Sequence, residues 1–194
     1  MLDAEDVAEG WEDAWRVFHH GIRVDRLWVG PPWERPPADA LAVVIDPGRA
    51  FGTGAHPTTR LALEWLQALE PGPLLDVGCG SGVLSIAAAR LGFAPVTAVD
   101  ADPAAVETAR ENAVRNGSPL DARVLDALAA PPPPAEVAVA NIALDVVERL
   151  LPRLDARSAI VSGYLEGDEP RAAGWRTVGR RTLDGWAADL LARA

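Results

Sequence analysis

The chain has 194 residues, the length of one domain with a single well-buried core. Hydrophobic residues make up 49% of it, which argues against whole-chain disorder, and no apolar run approaches the roughly 18 residues that a membrane helix needs. Acidic residues number 28 against 18 basic ones, all arginine, for a net charge of −10. Phosphate backbones need cationic neutralisation, so this balance argues against direct nucleic-acid binding and is compatible with a basic partner. The acidic start, MLDAEDVAEGWEDAW, has neither the cationic nor the apolar part of a secretory signal. The single cysteine, Cys79, leaves no disulfide framework and no multi-cysteine metal site. A cytoplasmic protein without membrane span or metal is expected.

Residues 1–40 carry Trp11, Trp15, Trp28 and Trp33. Trp11, Trp15 and Phe18 fall at i, i+4 and i+7, one face of a helix, and Pro31, Pro32, Pro36 and Pro37 then interrupt regular structure. An N-terminal helical arm and Pro-rich loop is therefore expected over 1–40, packed on a main domain over 41–194. A short apolar strand is predicted at 42–45 and a helix at 58–69, with Leu61, Trp65, Leu66 and Leu69 on one stripe. A buried strand at 74–77 leads into Gly78-Cys79-Gly80-Ser81-Gly82 and a helix to about Leu91, with Gly92 as its C-cap. A strand at 96–99 follows, then a helix that Asp102 and Pro103 open and Asn116-Gly117 stops. Further strands are predicted at 122–125, 137–140 and 159–162. A proline run at 131–134 separates the first two, and a helix at 144–151 ended by Pro152 separates the last two. Strands around Thr177 and at 187–191 close the sheet as a hairpin. This alternation predicts right-handed crossovers and a mostly parallel sheet, with ligands outside the carboxyl ends of the strands.

The residues just after the strands therefore carry the functional reading. The first such turn is Asp76-Val77-Gly78-Cys79-Gly80-Ser81-Gly82. Glycines turn tightly and admit a ligand close to the backbone, and the following helix start offers N–H groups and a positive dipole end. The dinucleotide fingerprint Gly-x-Gly-x-x-Gly fails at Val83; the compact Gly-x-Gly-x-Gly after an acid fits a methyltransferase loop better. Asp100 follows the next strand, where an acid accepts hydrogen bonds from ribose hydroxyls. Asp102 and Pro103 already cap the next helix, which leaves Asp100 free for that task. Asp126 reads either as a ligand of an adenine amino group or as an exposed turn residue. Asn141 follows the buried run Val137-Ala138-Val139-Ala140.

With these residues in hand, the segment from Asp46 through Phe51-Gly52-Thr53-Gly54-Ala55-His56-Pro57-Thr58-Thr59 resembles the signature of the PrmA-type family, whose members methylate large-subunit ribosomal protein eleven. The glycine turn, Val99-Asp100-Ala101-Asp102-Pro103, Ala109-Arg110-Glu111-Asn112-Ala113 and Val139-Ala140-Asn141-Ile142 match in the same order, as does the arm from Trp11 to Trp28. The resemblance implies a class I (Rossmann-like) α/β methyltransferase with a mostly parallel seven-stranded sheet, helices on both faces and S-adenosylmethionine as methyl donor. It makes 41–194 the catalytic domain. By position, Phe51, Gly52, Thr53, Gly54, Thr59, Asp76, Gly78, Gly80, Gly82, Asp100, Asp126 and Asn141 would bind the cofactor, and Asn141 and Phe51 would serve catalysis. The acceptor it implies is an amino group, lysine or N-terminal, on a protein substrate such as a basic ribosomal protein. Another protein's lysine (an electron-transfer flavoprotein subunit), a small molecule, and a non-catalytic cofactor-binding role stay open. Two departures are visible: the chain begins where the family joins its separate recognition domain, and residues 165–174 are short where the family has a helix. Phe51, Ile142 and Tyr164 are expected as pocket wall, His56 as a hydrogen-bonded structural residue, His19 and His20 as solvent-exposed, and Trp175 and Trp186 as core.

Overall fold

The computed structural model describes residues 20–46 and 54–194. A small three-stranded sheet comes first: β1 (Ile22–Val24), β2 (Leu27–Gly30) and β3 (Leu41–Val44). Then follow α1 (Pro57–Leu66), β4 (Leu74–Val77), α2 (Val83–Leu91), β5 (Val96–Asp100), α3 (Pro103–Asn116) and β6 (Asp121–Val124). The chain continues through β7 (Val137–Asn141), α4 (Leu144–Leu150), a 3-10 turn (Leu151–Arg153), β8 (Ser158–Leu165), β9 (Trp175–Leu183) and β10 (Trp186–Arg193).

The larger sheet has the order β6-β5-β4-β7-β8-β10-β9. β4 to β8 run parallel, and β10 is antiparallel to both β8 and β9. This is the expected class I α/β sheet with its closing hairpin. The chain leaves β4 outward through β5 and β6, then returns to start β7 on the other side of β4, which makes the β4/β7 boundary the switch point of the sheet. Both faces are covered, so the central strands read as continuous apolar runs. Leu74, Val137 and Val139 join Leu63, Leu66, Val83 and Ile86 of α1 and α2 on one side. Leu75, Val77, Ala138 and Ala140 meet Val147 and Leu150 of α4 on the other.

Helix starts and stops follow the local chemistry of the sequence. Asp102 caps α3 by accepting the Ala104 N–H, and Gly92 and Gly117 end α2 and α3 in the left-handed conformation. His56 caps α1, its ring accepting the Thr58 N–H. That helix ends at Leu66 rather than Leu69. The carboxamide of Gln67 donates to the carbonyls of Leu63 and Val24 and accepts the Arg26 N–H, tying the helix end to the β1–β2 turn.

The hairpin β1–β2 was not expected. β2 pairs in parallel with β3, Leu27 opposite Leu41 and Gly30 opposite Val44, and Val24, Leu27, Val29, Val43 and Ile45 enter the same core as α1 and α2. The division expected at residue 40 thus falls in the connection between two strands of one sheet. The helix expected around Trp11, Trp15 and Phe18 lies outside the described residues. No helix among the described residues is long and apolar enough to cross a membrane.

Candidate functional site

β4 turns into α2 through Gly78-Cys79-Gly80-Ser81-Gly82 at the switch point. Gly82 opens α2 with φ +80, and a Cβ there would come within 3.1 Å of the Ala109 backbone. Glycine is therefore needed twice over, for the left-handed turn and for the close approach of α3. Asp100, at the end of β5, holds the same loop: its Oδ2 accepts the Gly80 N–H and its Oδ1 the Asp102 N–H, both at 3.0 Å. The carboxylate is thus not free, as the sequence suggested, but already engaged on the loop. Each oxygen retains a second acceptor position, enough for two hydroxyls.

Beside Asp100 lies a cavity of about 140 Å³, between the strand ends and α4. Gly78, Asp100 and Asp126 border it. Its walls are Val77, Leu125, Ile142, Val146 and Leu150. Asp126 is exposed, and its Oδ1 accepts the Leu128 N–H in the turn after β6. The turn reading of Asp126 is therefore seen directly, and the residue also borders the cavity. The sequence reading missed Val146 and Leu150; their i, i+4 spacing on the helix after Asn141 was the available signal.

Strand alternation separates the remaining residues by face. Val77 faces the cavity, so Asp76 faces α2, where it is 1% exposed and accepts the Ser85 hydroxyl at 2.6 Å. Burial pushes the Asp76 carboxyl up to about 7. Asn141 points to the α1 side, its Nδ2 donating to Thr59 Oγ1 at 3.2 Å. Thr59 is buried beneath it. Gly54 is buried and packs against Val29 of β2. Phe51, Gly52 and Thr53 lie outside the described residues.

Tyr164 does not form the pocket wall expected of it. It is 3% exposed and its hydroxyl donates to Asp189 Oδ2 at 2.8 Å inside the core. Arg180 lies 3.7 Å from the same carboxylate. His56, as expected, is structural: it caps α1, meets Thr58 Oγ1 at 2.8 Å and packs edge-on against Trp186. His20 is exposed and pairs with Glu34. Among the described residues no group of three or more His, Cys, Asp or Glu could hold a metal ion.

Comparison with known proteins gives the family and bears out the fold. A family model for ribosomal protein L11 methyltransferase (PrmA) matches residues 2–171. The curated ribosomal protein L11 methyltransferase of Symbiobacterium thermophilum is 42% identical over 198 residues, covering 94% of this chain and 65% of that protein. The one from Dechloromonas aromatica is 48% identical over 157 residues, covering 78% and 52%. The chain thus spans about half to two thirds of the length of these relatives. The crystal structure of ribosomal protein L11 methylase from Lactobacillus delbrueckii subsp. bulgaricus matches with a TM-score of 0.76 at 31% identity, over 90% of this chain and 98% of that one. The 16S rRNA methyltransferase RmtF in complex with S-adenosyl-L-homocysteine shares the fold, with a TM-score of 0.55 at 22% identity over 73% of this chain and 66% of that one. This chain belongs to the ribosomal protein L11 methyltransferase (PrmA) family.

Proposed function

We propose that this chain transfers methyl groups from S-adenosylmethionine to amino groups of a protein, and that ribosomal protein L11 is that protein. One observation carries the reading: Asp100 clasps the glycine loop at the edge of an apolar cavity, at the switch point of the sheet. The cofactor fits these residues. The apolar walls suit a flat base, Asp126 borders the same space for an amino group, and the spare acceptor positions of Asp100 suit ribose hydroxyls. Gly78, Gly80 and Gly82 supply the close backbone, and Asp76 supports it from below through Ser85. We assign Phe51 to Gly54 to the methionine end of the cofactor on the resemblance of that segment alone.

When bound, the cofactor supplies a methyl group already activated on a sulfonium. The chain's own work is to position and desolvate. Thr59 takes one N–H of Asn141, which sets the carboxamide plane. The Asn141 Oδ1 then accepts a hydrogen bond from the incoming amine and aims its lone pair. A lysine has a reference pKa of about 10.4 and attacks only when neutral, so the apolar surround of Ile142 must lower that value. Most of the acceleration comes from holding the reactants in line.

Calorimetry tests the cofactor half. S-adenosylhomocysteine should bind in the low-micromolar range or somewhat weaker, and NAD should not bind. Asp100→Ala should cost about 1.5–3 kcal/mol of that affinity, the value of hydrogen bonds to a charged group. Unchanged affinity would remove Asp100 from the site. The acceptor half is tested by labelled methyl transfer to purified ribosomal protein L11 from the same host. Label appearing only on other proteins or on small molecules would overturn the assignment of L11.

A further inference from the structure

One connection that the proposed chemistry does not use runs through a single side chain of α3. Asn112 is 1% exposed and uses both ends of its carboxamide. Its Nδ2 donates to the Ser81 carbonyl, inside the glycine loop, at 3.0 Å. Its Oδ1 accepts the Asp46 N–H at 3.1 Å and Arg115 Nη1 at 3.0 Å. Arg115 in turn reaches the Asp46 carboxylate at 3.4 Å.

One turn further along α3, Asn116 accepts the Val44 N–H at 2.8 Å and donates to the Val44 carbonyl at 2.7 Å. It does for the open edge of β3 what a neighbouring strand would do. The spacing is matched: four residues of helix rise about 6 Å and two residues of strand about 6.6 Å. Asn116 and Asn112 therefore meet Val44 and Asp46 in step. Only Asn112 then reaches on to the glycine loop.

We infer that Asn112 is a positioning residue for the cofactor loop, fixing the Ser81–Gly82 peptide to the exit of β3. The inference rests on the cofactor reading given above for its consequence, but not for its geometry. The bond to Ser81 turns that carbonyl into α3, and the Arg115–Asp46 pair keeps the carboxamide from rotating away. Cofactor affinity then depends on a side chain that never touches the cofactor. Turnover at saturating cofactor does not.

Asn112→Asp separates the two ends. A carboxylate can still accept from Asp46 and Arg115 but cannot donate to Ser81. Hydrogen exchange of the ligand-free protein should show the amides of residues 80–83 opening about tenfold faster, the equivalent of one buried hydrogen bond, while Val77 and Val139 in the core are unchanged. The dissociation constant of S-adenosylhomocysteine should rise by a similar factor, with kcat at saturating cofactor and KM for the acceptor both within about twofold. Unchanged loop exchange and affinity would overturn the inference, and so would an equal acceleration in the core strands, which is general destabilisation. Should that variant not fold, Arg115→Ala decides: loop exchange about threefold faster is expected from a loosened carboxamide, and no change overturns the inference. If the parent protein does not bind S-adenosylhomocysteine, the cofactor reading fails and loop exchange alone decides the role of Asn112.

Discussion

Asp76 sits 1% exposed beneath the glycine loop, and burial lifts its carboxyl from 3.8 to about 7. Between about pH 4 and 7 the native protein therefore keeps a proton that the unfolded chain has already released. A group raised in this way stabilises at low pH and loses its contribution as pH rises through the folded value. Stability should fall across that window by up to about 1.4 kcal/mol per pH unit from this residue, then level off above it. Asp76→Asn keeps an acceptor for the Ser85 hydroxyl and removes the titration. Urea unfolding at pH 5 and pH 8 should show a smaller drop in the variant than in the parent; parallel curves would mean that Asp76 is not the group responsible. Asn141 makes a second test at this scale. Its bond to Thr59 fixes the carboxamide, and under the proposed acceptor role Asn141→Ala should lower kcat by about tenfold or more. Cofactor affinity should stay within about threefold, and equal turnover at saturating cofactor would end the acceptor role.

Just past the end of β7, the chain packs tightly against β8 at the edge of the cavity. Gly163 has φ +106, and a Cβ there would lie 2.3 Å from the Ile142 carbonyl oxygen. That is backbone against backbone, so no side chain can swing aside. Gly163→Ala should destabilise the fold by about 3 kcal/mol or more and displace Ile142 from the cavity wall. A change within about 0.5 kcal/mol in urea unfolding would show that the two strands can part. The placing of Asp100 and Asn141 at strand ends was legible because the strand runs before them are largely apolar. The hairpin β1–β2 was not: strands of three and four residues carry no usable period, and β3 owes its outer edge to Asn116 rather than to another strand. Tyr164 was misplaced for a similar reason. β10 changes register against β8 between Ala187 and Ala188, next to the residue opposite Tyr164. Such a shift leaves no trace in Ala187-Ala188-Asp189-Leu190-Leu191, where Asp189 reads as an ordinary strand residue.

For the molecule as a whole, the net charge of −10 bears on how the proposed basic acceptor would arrive. A basic protein is drawn in by the summed field, and salt screens that field, the Debye length falling from roughly 10 Å at 0.1 M to 3 Å at 1 M. With ribosomal protein L11 as the proposed acceptor, kcat/KM for it should therefore drop by about tenfold or more across that range. Affinity for S-adenosylhomocysteine, assigned above to close contacts in the cavity under the proposed function, should change little. A flat salt profile for the protein substrate would mean that the acidic surface plays no part in encounter. The order of the sheet has another kind of consequence. β10 lies between β8 and β9, yet β9 leaves the ribosome first. Until Trp186 and the residues after it emerge, β9 has no seat and β8 presents a bare edge to the cell. A nascent chain stalled at that point holds an incomplete sheet with an adhesive rim, a natural client for a ribosome-bound chaperone.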